Sequence, residues 1–290
     1  MVSSVFLFLG FGLVNSFKIS LALSFLLSGI FMLAFAKVFF NDDRKALLVT
    51  LFYQFAPFRL VELLTRGSFG EVYTYAFLPL VLLGITLLFK KPRYKYFVLT
   101  AFGTALLVLS HNSVSLLSFG VAAFFVAFFT TKKKGFIFAS LALLFGILLS
   151  SFYWVPAIFE HKFTYGDLFM KNLYLEHFGP IQMFFLPNFF NSESLQTGGI
   201  SVQIGLFHVI AMVLALIKLR DKHKLFIFCF FLIALSLFFT QPISKVFWEY
   251  ISMLRQFQFP WRFLSIIIFA TSLLSVSFLS LALFKKKIAY

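Results

Sequence analysis

The sequence predicts an all-α membrane protein, a polytopic helical bundle of about ten transmembrane helices. Three observations carry this expectation. The chain is 61% hydrophobic and only 12% charged, with 48 phenylalanines among 290 residues, a balance foreign to soluble domains. Apolar stretches of membrane-spanning length recur from end to end. Clusters of Lys and Arg sit at alternate boundaries between them. A β-barrel would need period-two alternation, and runs such as "LALLFGILLSSFYW" have none.

The expected spans are 2–16, 20–40, 46–60, 73–89, 96–111, 114–130, 136–155, 201–217, 225–240 and 263–284, within a single transmembrane domain covering 1–290. The first carries no basic leader and no small-residue cleavage site, so it reads as a span rather than a signal peptide. "NSFK" separates it from the second, and "NDDRK" separates the second from the third. The third and fourth are joined through "RLVELLTRGSFGEVY", the fourth and fifth through "KKPRYK". "SHNS" makes a tight corner between the fifth and sixth, and "TKKK" follows the sixth. A long aromatic segment, about 156–200, contains Gly179-Pro180, Pro187 and Gly198-Gly199, which suits short helices lying at the membrane interface. "KLRDKHK" and "QPISKVFWEYISMLRQFQFPWR" bracket the ninth span, and a final "KKK" follows the tenth. Cys229 is the only cysteine, so no intrachain disulfide can form.

The formal charge of +15 is a topology signal. Seventeen of the 25 Lys and Arg, with only Asp42, Asp43 and Asp221 as acids, fall on one side of a ten-span arrangement. The other side is nearly balanced. Positive-inside asymmetry assigns the basic loops and both termini to the cytoplasm, in a multi-pass protein of the cell membrane. Attraction to anionic headgroups accounts for the basic excess, so membrane lipids are the expected partners and nucleic acid is not.

The opposite, exofacial side gathers the residues capable of chemistry. In "FQFPWRFLS", Pro260 fits a first helical turn, where its missing N–H costs nothing. Trp261 fits the interfacial aromatic belt, and Arg262 either anchors the helix at headgroup phosphate or an acid, or grips an anionic ligand. In "RGSFGEVY", Glu71 suits a helix start by its charge, and with Arg66 it could equally hold a polar substrate. His111 interrupts an apolar hairpin, where a turn needs polar residues, yet histidine at membrane depth is a functional candidate by default. Glu160 ends "SFYWVPAIFE", and helix termination does not explain an acid there. The candidate exofacial cleft is therefore Arg66, Glu71, His111, Glu160 and Arg262. No metal site is expected: His111, His161, His177, His208 and His223 show no i,i+4 pair and no cysteine partner. No phosphate-binding glycine loop and no nucleophile elbow occurs, no cofactor is identified, and no catalytic residue can be assigned.

Four stretches, "APFRLVELLTRGSFGEVYTYAFLPLVLLG", "LLVLSHNSVSLL", "LLSSFYWVPAIFE" and "FQFPWRFL", together resemble bacterial and archaeal integral membrane proteins named for a 6-pyruvoyl-tetrahydropterin synthase-related domain, over roughly residues 20–280. The name says little about chemistry, because the histidine triad of the soluble zinc enzyme has no counterpart here. These proteins look similar in turn to GT-C glycosyltransferases. That likeness implies a polyprenyl-phosphate-sugar donor, an exofacial site and a role in cell-envelope glycan assembly, with Arg66, Glu71, His111, Glu160 and Arg262 at the polar positions of the motifs. One departure stands out. GT-C enzymes carry an acid in the first long exofacial loop, whereas "NSFK" has none and Asp42-Asp43 lies on the basic side. The chain accordingly reads as part of a longer protein, or as a member that does not catalyse. A non-catalytic scaffold or assembly protein is the alternative. A transporter of lipid-linked glycan fits less well, since the spans are nearly free of internal charge and show no repeat.

Overall fold

The computed structural model describes residues 2–163, 172–186, 200–218 and 223–279, and its regular elements there are all helical. Four helices are long and apolar enough to cross a membrane: Leu13–Phe40, Phe69–Lys90, Asn112–Phe129 and Pro260–Leu279. Up to seven spans result if each of three bent helix pairs counts as one. Tyr94–Ser110 and Leu206–Lys218 are shorter apolar helices. By this measure the described residues fall short of the expected ten.

The N-terminus accounts for part of the difference. Helix α1 (Val2–Phe8) has seven residues, which rise only about 10 Å, a third of a bilayer core. The apolar run breaks at Gly10, whose φ of 89° favours glycine, and at Gly12, not at "NSFK". Asn15 to Lys18 instead lie inside α2 (Leu13–Phe40), with Asn15 and Lys18 exposed. The expected span 2–16 is thus not a span of its own, and the even count that placed both termini on the basic side loses its first member.

From Leu13 onward the helices alternate direction. The C-terminus of α2 ends on Asn41 in the left-handed conformation. Asp42 then caps α3 (Asp43–Gln54) by accepting the backbone N–H groups of Arg44 and Lys45 at 2.9 and 3.1 Å. Pro57 opens α4 (Pro57–Leu60), bent 53° from α3, and the chain continues as a π-turn over Val61–Arg66. Next come α5 (Phe69–Lys90), α6 (Tyr94–Ser110), α7 (Asn112–Phe129), α8 (Lys133–Leu149) and α9 (Ser151–Glu160), the last bent 62° from α8. At the basic end, Lys90 Nζ donates to Val38 O at 2.6 Å, tying α5 to α2.

Small residues let these helices approach closely, which drives association where lipid removes the hydrophobic incentive. Ser16, Ser20, Ser24 and Ser28 recur every fourth residue along α2 and are all fully buried. Ser20 bonds the Tyr73 hydroxyl and Ser28 donates to Tyr75 O, both at 3.0 Å, so this face packs on α5. Phenylalanines fill the remaining space, with Phe35, Phe125, Phe228 and Phe269 at or below 1% exposure. The two most enclosed spans are α5 and Pro260–Leu279, each 83% buried over its most apolar window, and the others keep faces for lipid.

Of the expected interface segment 156–200, the structure describes two short pieces beyond α9, a 3-10 turn at Leu173–His177 and a helical turn at Gln182–Phe185. Pro187, Gly198 and Gly199, like the end of the expected last span and "KKK", lie outside the described residues.

Candidate functional site

At the end of the bundle opposite the lysine clusters, four of the five expected residues meet. The π-turn makes the first side of the site. Inserting an extra residue into the helical repeat is costly and is common where function needs a displaced side chain. Here it brings Arg66 back onto Glu62: Arg66 Nη1 donates to both Glu62 oxygens at 2.7 and 2.6 Å. Gly67, at φ 56°, reverses the chain, and Ser68 N–H closes the turn on Glu62 O. Helix α5 then starts with Glu71 in its first turn, where the helix dipole favours an acid.

Glu71 is the hub. Its Oε2 accepts from Arg66 Nη1 at 3.0 Å, and its Oε1 accepts from Arg262 Nε and Nη2 at 3.1 and 2.9 Å. Arg262 Nη1 also donates to Phe257 O at 2.7 Å and Gln258 Oε1 at 3.2 Å. Pro260 to Phe263 form a 3-10 turn that turns Arg262 inward. The arginine therefore reaches an acid rather than headgroup phosphate, and it is only 5% exposed. The pair spans 191 residues and joins the two most enclosed helices.

His111 completes the group. It caps α7 with Nδ1 accepting the N–H groups of Ser113 and Val114, both at 3.2 Å. An accepting Nδ1 assigns the ring proton to Nε2, which faces Glu71 Oε1 at 3.6 Å. Burial holds the imidazole neutral, lowering its pKa from 6.5 to about 4 against the opposing pull of Glu71, with Arg262 and Arg66 adding to the depression. The corner stands this close because residue 70 is glycine: a Cβ there would meet Ser110 O at 2.5 Å and the His111 ring at 2.9 Å. Ser113 Oγ fixes the same corner to Gln256 O at 2.7 Å.

Aromatic rings floor the site. Phe259 and Trp261 stack at 4.8 Å, Arg66 lies 4.6 Å over the Trp261 ring, and Arg262 lies 5.0 Å over Phe259. Buried ion pairs need such complete neighbourhoods, since desolvation otherwise exceeds the Coulombic gain.

Glu160 does not join this cluster. It is exposed at the end of α9 and makes none of these contacts. The sequence reading missed Glu62, which is fully buried, although the Glu62–Arg66 spacing of four was visible as a helical pair. It also missed Gln258 and the buried Arg59, whose Nη1 donates to Tyr53 O at 3.0 Å. Among the described residues no group of three His, Cys, Asp or Glu side chains is placed to hold a metal ion.

Enclosed spans joined by a buried ion-pair hub, lipid-facing apolar surfaces and helical geometry throughout the regular elements define an α-helical integral membrane protein. The chain belongs to the 6-pyruvoyl-tetrahydropterin synthase related domain family of membrane proteins, whose model matches residues 3–289. No curated protein and no solved structure matches it.

Proposed function

We propose that this chain is a GT-C-like membrane module that binds a polyprenyl-phosphate-linked sugar at the Arg66–His111 end, in the service of cell-envelope glycan assembly. One observation carries the reading. Arg66 Nη1 is fixed by Glu62 and Glu71, while its Nε and Nη2 hold no hydrogen bond among the described residues and its side chain is 19% exposed. A guanidinium braced on one edge and open on the other is preorganised for a phosphate oxygen pair. The aromatic floor suits sugar and isoprenoid.

The same network favours binding over bond cleavage. Glu62 and Glu71 are both engaged by arginines, so neither stands free as a general base. A partner or a further stretch of chain would supply the acid that transfer requires. Arg66, not Arg262, becomes the expected phosphate ligand, because Arg262 turns its donors to Glu71, Phe257 and Gln258.

Native mass spectrometry of the purified chain with undecaprenyl phosphate tests this. The parent should retain the lipid, and Arg66→Gln should lose it by about tenfold in affinity, the scale of one charged hydrogen bond. A parent that retains no polyprenyl phosphate, or an Arg66→Gln variant that retains it undiminished, overturns the reading.

A further inference from the structure

We infer that the Arg66 site is built for an anion of one charge, a phosphodiester, and discriminates against a diphosphate. The inference rests on the lipid-phosphate reading above and deepens it by naming the charge state of the ligand.

Two independent observations lead there. The first is the charge count of the buried end. Arg59, Arg66 and Arg262 face only Glu62 and Glu71, and His111 uses Nδ1 as an acceptor and so is neutral. Arg59 is 3% exposed and forms no ion pair with a carboxylate among the described residues. The faces of Phe25, Tyr53 and Tyr75 surround it at 5.2, 5.0 and 5.2 Å. It lies three residues, about 5 Å of helix rise, before Glu62, so its charge belongs to the same low-dielectric neighbourhood. One positive charge is left over.

The second observation concerns unmet donors. Trp261 Nε1 is buried without a partner, on the ring that Arg66 overlies. Buried N–H groups are seldom left so. Arg66 offers Nε and Nη2, and His111 Nε2 stands 3.6 Å from Glu71, beyond a hydrogen bond. Every unmet group at this edge is a donor. Both carboxylates are already engaged, so an acceptor-only ligand fits and a cation does not. A phosphodiester brings one negative charge and two free oxygens. A diphosphate diester brings two charges, and the second would enter a buried site with no remaining cation to balance it.

The test uses the full chain in phosphatidylcholine nanodiscs and three probes: methyl farnesyl phosphate with one charge, methyl farnesyl diphosphate with two, and farnesol with none. The phosphodiester should bind about tenfold more tightly than either of the others. Trp261→Phe should weaken it about fivefold, by removing one donor while keeping the ring. Glu62→Gln raises the buried charge by one and should move the preference toward the diphosphate. Arg59→Met lowers that charge by one without reaching the ligand, and should erase the advantage of the phosphodiester over farnesol. Only variants that elute as monodisperse protein are compared, and the parent's ranking of the three probes decides the matter without them. Equal or tighter binding of the diphosphate by the parent overturns the charge rule while leaving the lipid-phosphate reading intact. Binding of neither phosphate overturns both. A second arm replaces the probe with phosphatidylglycerol: competition at comparable concentration identifies an ordinary lipid headgroup as the source of the phosphodiester, which keeps the charge rule and removes the isoprenoid.

Discussion

The two ends of this bundle carry opposite solutions to the problem of placing charge beside a membrane. At the basic end, Lys37 pairs with Asp43 at 2.9 Å and Lys45 with Asp42 at 3.1 Å, and both partners of the first pair are more than half exposed. Water solvates these ions whether or not they touch. At the other end Glu71, Glu62 and Arg262 are nearly dry, and each depends on its partner. Pairs of similar length therefore differ in worth by an order of magnitude, and burial, not distance, decides which.

The largest break in that contrast comes from Glu71→Gln. It leaves Arg262 and Arg66 facing a neutral amide in a buried site, and the loss of a buried partner costs about 3–5 kcal/mol. Thermal unfolding in detergent should fall sharply. Adding Arg262→Met to Glu71→Gln should recover part of the loss, because an apolar replacement removes the stranded charge. Full additivity of the two changes would mean that the ion pair does not couple α5 to the last span.

The sequence revealed more of this end than might be expected from hydropathy. Arg66, Glu71, His111 and Arg262 stood out because each interrupts an apolar run, and ionisable groups persist there only with partners. Their meeting was not legible. The Glu71–Arg262 bond crosses 191 residues, and its direction depends on a 3-10 turn after Pro260 that no local pattern specifies. Glu62 escaped notice because a glutamate four residues before an arginine reads as an ordinary solvated helix pair, and the π-turn that buries it leaves no compositional mark. Glu160 stood out by the same rule as the others, yet helix α9 bends 62° from α8 and carries it to the surface. The spans followed hydropathy, while "NSFK" misled: Ser16 is one of the buried serines facing α5, so polarity there marks a packed face and not a loop.

A smaller effect sharpens the comparison through pH. His111 has its pKa lowered from 6.5 to about 4 by burial. The unfolded chain therefore binds this proton more readily than the folded one. The histidine's contribution is fully present above about pH 6.5 and is lost as pH falls from there toward 4, by about 2–3 kcal/mol in all. Protonation also removes the Nδ1 acceptor that caps α7. His111→Asn keeps a capping oxygen and cannot titrate. Its melting temperature should thus decline less steeply than the parent's between pH 6.5 and 4. Parallel curves would show that other groups, not His111, make this end acid-sensitive.

The smallest effect belongs to the exposed end. Lys37→Ala removes the partner of Asp43, and the side chains of the pair are 63% and 76% exposed. Coulomb attraction at that exposure is offset by side-chain ordering and screened by salt within about 8–10 Å. Stability should change by about 0.5 kcal/mol or less, and any difference should vanish on raising the salt concentration. Membrane orientation reads the same residue differently, since positive charge counts at this boundary whether or not it is paired. Lys37→Ala should leave the melting curve in place even where added loss of Lys90, Lys91 and Arg93 disturbs insertion. A destabilisation as large as that of Glu71→Gln would mean that Lys37 is held in a dry contact, and the division of this bundle into a wet charged end and a dry charged end would fail.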